Sequence, residues 1–240
     1  DDLDNLVAED EQNSGCLLTY DVYVDPVNGN DDLNDGLSWE SPFYTITHAI
    51  ALVIGTENAP VNIYLAEGTY SPSTNGEIFP IEMFSFINLI GQGEEVTILD
   101  AEQTDRVIII ENCENNTISD LTITGGYAEN DILYGGGGIY CFDNSSPTLT
   151  NVTVSGNTAT DGGGIYSENS SPTITSTEVT DNYGGWGGGF CILFGSATTG
   201  GNPTISNTIV AKNHGNYHGG GLYIDETKVF LTNVSITENT

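Results

Sequence analysis

The sequence predicts an all-β fold: a single-stranded right-handed parallel β-helix, or solenoid, with an N-terminal capping helix. Three observations predict it. Gly138-Ile139-Tyr140 returns as Gly164-Ile165-Tyr166, Gly189-Phe190-Cys191 and Gly221-Leu222-Tyr223. The first three copies are followed by Ser146-Pro147-Thr148, Ser171-Pro172-Thr173 and Asn202-Pro203-Thr204, and each of the four by an asparagine, at 157, 182, 213 and 239. Between the markers, apolar residues alternate with polar ones, as in Leu149, Val152 and Val154. The markers move together, so they belong to one unit of about 25–32 residues, the signature of stacked coils.

Taken in order, residues 1–20 are an acidic N-terminal segment. Asp1, with no initiating Met, reads as a processed terminus from which an export signal has been removed. Residues 21–60 hold a strand around Tyr23, an acidic loop and a helix. From Tyr44 to Ile54 the apolar residues Ile46, Ala49, Ile50, Val53 and Ile54 recur at helical spacing, which suits a cap over an otherwise open solenoid end. Residues 61–134 form irregular first coils, with strands at Ile63–Leu65, Ile87–Ile90, Val96–Leu99 and Val107–Ile110, and with Ile118, Leu121 and Ile123 in the alternating pattern. Residues 135–240 form the regular coils. Short runs rich in β-branched residues, bounded by Gly, Pro and Asn, read as strands, and no amphipathic helix separates them. The last unit stops on its own marker, Asn239-Thr240, with no evident cap. Three readings stay open there: a fragment of a longer solenoid, end-to-end stacking on another subunit, or closure by loops.

Charge narrows the partners. Against 34 acidic residues stand three basic ones, Arg106, Lys212 and Lys228, for a formal net charge of −31. Such a chain has almost nothing with which to neutralise phosphates, so nucleic acid and anionic membranes are excluded as partners. No apolar run reaches the length of a membrane span, so membrane insertion is not expected. Cys16, Cys113, Cys141 and Cys191 allow up to two disulfides or serve equally well as small buried thiols.

The run Tyr23-Val24-Asp25, Gly29-Asn30-Asp31, Asn34-Asp35-Gly36, Trp39, Pro42-Phe43, Thr45-Ile46 resembles the opening of bacterial pectate-lyase-like β-helix proteins. Asn62 to Tyr70 and Leu89-Ile90-Gly91-Gln92-Gly93 look like their first coils. The Gly-Gly-Gly-Ile-Tyr and Ser-Ser-Pro-Thr-Ile-Thr units are similar to those of secreted and outer-surface β-helix repeat proteins. The resemblance spans residues 20–240. It implies the fold and an extracellular or cell-surface location, but no single activity, because this fold hosts lyases, hydrolases, esterases, adhesins and phage spikes.

A polysaccharide lyase of this fold needs a Lys or Arg base and usually a Ca²⁺ ion. Carboxylates are plentiful, but Arg106, Lys212 and Lys228 read as solvated surface charges. A hydrolase would need a close carboxylate pair, and Glu178, Asp181 and Asp225 are scattered. His214 and His218, four apart, would suit a metal on a helix, but here they lie in a Gly-rich loop. Outside the lyase reading no cofactor is required. Calcium is the one candidate, on the hard oxygen donors Asp25, Asn30, Asp31, Asp32 and Asp35.

The candidate binding residues are aromatic. Loops between each asparagine and the next glycine run carry Tyr127 and Tyr134, then Thr158 to Asp161, then Tyr183 and Trp186, then His214, Tyr217 and His218. Stacked coils would bring them into a column able to meet sugar rings, or to pack over the coil corners. Tyr140, Tyr166 and Tyr223 form a second column, interrupted by Cys191, read as an outward-facing stack or a sugar platform. Asn157, Asn182, Asn213 and Asn239 read as a structural ladder of side-chain amides. The preferred function is a non-catalytic, structural or adhesive β-solenoid, self-associating end to end into fibres. A polysaccharide lyase or related carbohydrate-active enzyme is the alternative, and a carbohydrate-binding module lies between them.

Overall fold

In an extended chain, residues two apart point to the same side, so each alternating run above has one apolar edge to bury. Each run buries that edge by stacking on its equivalents one unit away. The computed structural model describes residues 17–129, 135–194 and 202–240. Among these, parallel pairing joins the coils in three sheets. The largest, of 13 strands, runs from Val22–Val24 through Val61–Leu65, Ile87–Ile90, Thr117–Thr124, Thr148–Ser155, Thr173–Thr175 and Thr204–Ser206 to Phe230–Thr232. Its second arm includes Thr97–Asp100, Glu178–Thr180, Ile209–Ala211 and Ser235–Thr237. The six-stranded sheet stacks Ile81–Met83, Ile108–Glu111, Ile139–Phe142, Ile165–Glu168, Phe190–Leu193 and Leu222–Asp225. The chain is thus an all-β parallel solenoid.

The register follows the repeat markers. Ile139 pairs with Ile165, Ile165 with Phe190, and Phe190 with Leu222. Leu149, Ile174 and Ile205 align in the large sheet. All of these except Leu222 are buried in one continuous core. Each such side chain contributes roughly 1.5–3 kcal/mol by leaving water. Thr177 and Thr208 stand where the preceding coil has Val152, and all three are buried. The two threonines are tolerated there because each hydroxyl donates to a carbonyl two residues back, Thr175 and Ser206. The large sheet bends at a left-handed residue in five successive coils: Asp120, Asn151, Ser176, Asn207 and Asn233 all have positive φ. Asn and Asp adopt that conformation more readily than most residues.

The helix forms, but it is shorter than the sequence suggests, Ile46–Leu52. Thr45 caps it by accepting from the His48 N–H, and Ile46, Ala49 and Ile50 are buried. Val53 and Ile54 leave the helix because they are used in pairing: Leu18 bridges Val53, and the Ile54 N–H donates to the Leu18 carbonyl. No helix among the described residues is long and apolar enough to cross a membrane.

The segments between each asparagine and the next glycine run depart further from expectation. They are strands, not loops. Tyr127–Ala128, Thr158–Ala159, Tyr183–Trp186 and His214–His218 form a third, four-stranded parallel sheet. The glycine runs that follow lead into the six-stranded sheet at close approach: a Cβ on Gly164 would sit 2.7 Å from the Gly189 carbonyl and 3.0 Å from the Asn182 amide nitrogen.

Candidate functional site

The third sheet is positioned by the asparagine ladder. Asn157, Asn182 and Asn213 are buried. Each rung donates its backbone and side-chain N–H groups to the Oδ1 of the next. Asn157 donates twice to Asn182, Asn182 twice to Asn213, and Asn213 twice to Asn239, at 2.9–3.0 Å. The amide nitrogens also donate to carbonyls of the adjoining arm, Ile123, Val154, Val179 and Val210. Each amide thus joins two coils and the corner between two sheets. The residue before each rung is left-handed: Gly156, Asp181, Lys212 and Glu238. Lys212 occupies one of these left-handed positions and is exposed.

Beyond the ladder the chain enters the third sheet, and register sorts its side chains into two columns. Tyr127, Thr158, Tyr183 and His214 pair in succession down one column. Gly135, Asp161, Trp186 and His218 pair down the other. Equivalent residues on adjacent strands lie about 4.8 Å apart. Tyr127, Tyr183 and Trp186 are each nearly two-fifths exposed, and Tyr217 is more exposed still. Tyr183 stacks on His214 with centroids 5.2 Å apart and planes 12° from parallel. Trp186 meets His218 and Tyr223 edge-on, at 5.7 and 4.9 Å. A bulge between Gly184 and Trp186 shifts the register there. Such irregularities re-aim side chains.

Sequence spacing puts Asp161 in a polar loop and gives it no role of its own. The structure places it next to Trp186, whose backbone N–H donates to Asp161 Oδ1 at 3.1 Å. Partial burial raises its pKa, and that hydrogen bond only partly offsets the rise. A Cβ on Gly185 would lie 3.2 Å from the Tyr217 ring and 3.3 Å from Asp161 Oδ1, so the missing side chain lets ring and carboxylate come close. Only register across separate coils could reveal this neighbourhood. Tyr134 lies outside the described residues.

The tyrosine column is a stack between coils rather than an exposed sugar platform. Tyr140 and Tyr166 do point away from the main core, and their rings stack at 5.3 Å. Yet both are buried, with Cys191, in a second apolar cluster against which Tyr223 packs. Gly135 lies against the Tyr166 ring, closing over it. Tyr140 and Tyr166 are therefore internal, and Tyr223 alone of the three reaches the exposed ring group. Arg106 is likewise no surface charge: it is 1% exposed, with its guanidinium carbon 5.1 Å from the Tyr140 ring centroid. A cation over an aromatic face is favourable when desolvated. Lys212 and Lys228 are exposed as expected.

The acidic loop spends its oxygens on its own backbone. Asp25 accepts from the Val27 and Asn28 N–H groups, Asn30 from Asp32 and Leu33, and Asp35 from Leu37. Asp31 reaches across to Tyr44 and Thr45. Asp32 is exposed. Among the described residues no three His, Cys, Asp or Glu side chains gather as a metal site. The hydrogen bonds lower the Asp25 pKa against a desolvation that raises it. Cys113, Cys141 and Cys191 are buried free thiols, and burial pushes Cys141 up to about 12. Cys16 lies outside the described residues.

Known structures share this architecture. Pectate lyase Pel9A superposes with a TM-score of 0.63 at 19% identity, covering 92% of this chain and 55% of that one. Pectin methylesterase PemA from Erwinia chrysanthemi gives 0.47 at 13% identity, covering 88% of this chain and 68% of that one. A rhamnogalacturonan lyase gives 0.43 at 14%, covering 90% and 56%. At 19% identity the likeness to Pel9A shows the fold alone, and the chain spans little more than half the length of Pel9A. No curated protein matches the sequence. Residues 27–228 match the family described as protein of unknown function (DUF1565). With the match running over most of its length, the chain belongs to the DUF1565 family.

Proposed function

We propose that this protein is a non-catalytic extracellular or cell-surface β-solenoid that binds glycan along the edge formed by its third sheet. The observation that carries the reading is the pair of in-register columns with Tyr127, Tyr183, Trp186 and His218 partly open to solvent. Aromatic faces on a rigid sheet suit sugar rings, whose C–H faces pack on them with little loss of conformational freedom. The likeness of the fold to carbohydrate-active proteins agrees with such a ligand.

The disposition of the basic residues supports a binding role over a lyase. Arg106 is buried beneath Tyr140, and Lys212 occupies a turn whose backbone is set by the ladder. The helix Ile46–Leu52 acts in this reading as the N-terminal lid, with its apolar face against the first coils. End-to-end stacking belongs to the same proposal. Leu231 and Ile236 are 44% and 49% exposed, although they pair with the buried Ile205 and Val210. A further parallel coil, whichever polypeptide supplies it, would cover them.

Affinity electrophoresis against a panel of soluble polysaccharides tests the glycan reading. Retardation by at least one polymer is expected, and Trp186→Ala should weaken it about tenfold, the equivalent of about 1.4 kcal/mol. Release of unsaturated products from any uronate polymer, or retardation indifferent to Trp186, would sink the proposal.

A further inference from the structure

The charge at the edge restricts which glycans it can hold. We infer that the ligand carries free amino groups: the Asp161 carboxylate, held beside Trp186, pairs with a protonated sugar amine while the rings take the face of the sugar. This rests on the glycan reading and adds a substrate class to it.

Four observations lead there. Asp161 and Trp186 are register neighbours on adjacent coils, so carboxylate and indole present themselves within one sugar's reach. One of the two carboxylate oxygens, Oδ1, is fixed by the Trp186 N–H, which sets the group's orientation. The carboxylate is partly removed from water, so its ionised form is under-solvated, and a cation brought alongside restores what burial removed. Asp161, Glu168 and Asp225 each push up the pKa of the buried Cys191 thiol after burial itself, so their charges add to one negative field on this side of the molecule.

The positive side is nearly empty. Apart from the imidazoles of His214 and His218, neither column carries a basic side chain. The cation nearest in sequence is Lys212, on the turn before His214. A uronate polymer would therefore meet like charge both locally and from a chain of net charge −31. A protonated amine meets a carboxylate and an aromatic face together, and both attract it.

The test is calorimetric titration with three hexamers at one pH and ionic strength: glucosamine, N-acetylglucosamine and galacturonate. The wild-type protein should bind the amino hexamer about tenfold more tightly than the acetylated one. That preference should shrink as sodium chloride is raised, while the acetylated hexamer's affinity holds. Asp161→Asn should bring the two affinities within about twofold, and Asp161→Glu should retain part of the preference. Asp32→Asn, which removes an exposed acid far along the sequence, should leave the preference intact. Equal effects of Asp161→Asn and Asp32→Asn would mean that overall charge does the work, and would overturn the inference. So would equal or tighter binding of the acetylated or galacturonate hexamer, which leaves the glycan reading standing. Binding of none of the three, together with no retardation by any polysaccharide, removes both. If Asp161→Asn does not fold, Asp161→Glu carries the test: a preference undiminished from wild type would overturn the inference.

Discussion

A single asparagine rung shows how much one side chain does in this fold. Asn182 accepts two N–H groups from Asn157, donates two to Asn213 and a further one to the Val154 carbonyl, all in a buried setting. Each buried donor or acceptor left without a partner costs about 1–3 kcal/mol. Asn182→Ala should therefore lower stability by roughly 2–4 kcal/mol, part of the loss being recovered by relaxation and entering water. Chemical denaturation followed by circular dichroism measures it. A loss under about 0.5 kcal/mol, typical of a surface change, would show that the ladder is not structural. Arg106 shows the opposite case. Its type and rarity mark it as a surface charge, and only the packing around Tyr140 reveals a buried cation over a ring.

At the level of elements, the seven-residue helix is too short to persist on its own propensity. A distant carboxylate supports it. Glu77, buried, accepts the Ile46 and Thr47 N–H groups and the Thr47 hydroxyl, filling the unsatisfied first turn. Burial raises its pKa, and the hydrogen bonds only partly counter it. The folded chain therefore holds this proton to higher pH than the unfolded chain does. Its contribution to stability is greatest below the ordinary glutamate range and declines as pH rises through the folded value. Glu77→Gln, which cannot titrate and turns an N–H toward backbone donors, should be less stable than wild type. The gap should narrow as pH rises from about 4 to about 7, because only the wild type loses stability from this group. Thermal midpoints of the two proteins across that range check the sign, and a widening gap would refute it. The third sheet is the other element that a local pattern misrepresents. The stretch between each asparagine and the next glycine run suggests a loop, yet it pairs as a strand with its equivalent one coil away.

At the level of the whole molecule, acidity governs behaviour. With 34 acids against three basic residues, self-repulsion opposes the compact state. The screening length falls from about 30 Å at 0.01 M salt to about 8 Å at 0.15 M. Raising sodium chloride over that interval should lift the thermal midpoint by several degrees, as read by scanning calorimetry. Calcium matched for ionic strength should do the same and no more, since Asp25, Asn30, Asp31 and Asp35 already accept backbone N–H groups. A further rise specific to calcium would make the acidic loop a metal site. Light scattering on the same samples reads the stacking proposal: repulsion holds copies apart at low salt, and Leu231 and Ile236 favour association once it is screened.

The coil, its strands and its asparagine ladder were legible in the sequence because each rests on a local pattern. Alternation selects the buried edge, and a marker repeated once per unit must stack on itself. The acidity, too, could be read from composition alone. Tertiary structure decided what lies over what. Tyr140 and Tyr166 alternate with core residues just as an exposed column would, and packing by other segments buries them: Gly135 against the Tyr166 ring, Arg106 over Tyr140. Asp161 and Trp186 stand apart in the chain and become neighbours only through the pairing of adjacent coils. Periodicity determines which way a side chain points from its own strand. Whether water or another segment waits there depends on contacts a full coil away, and those decided where this protein has an open edge.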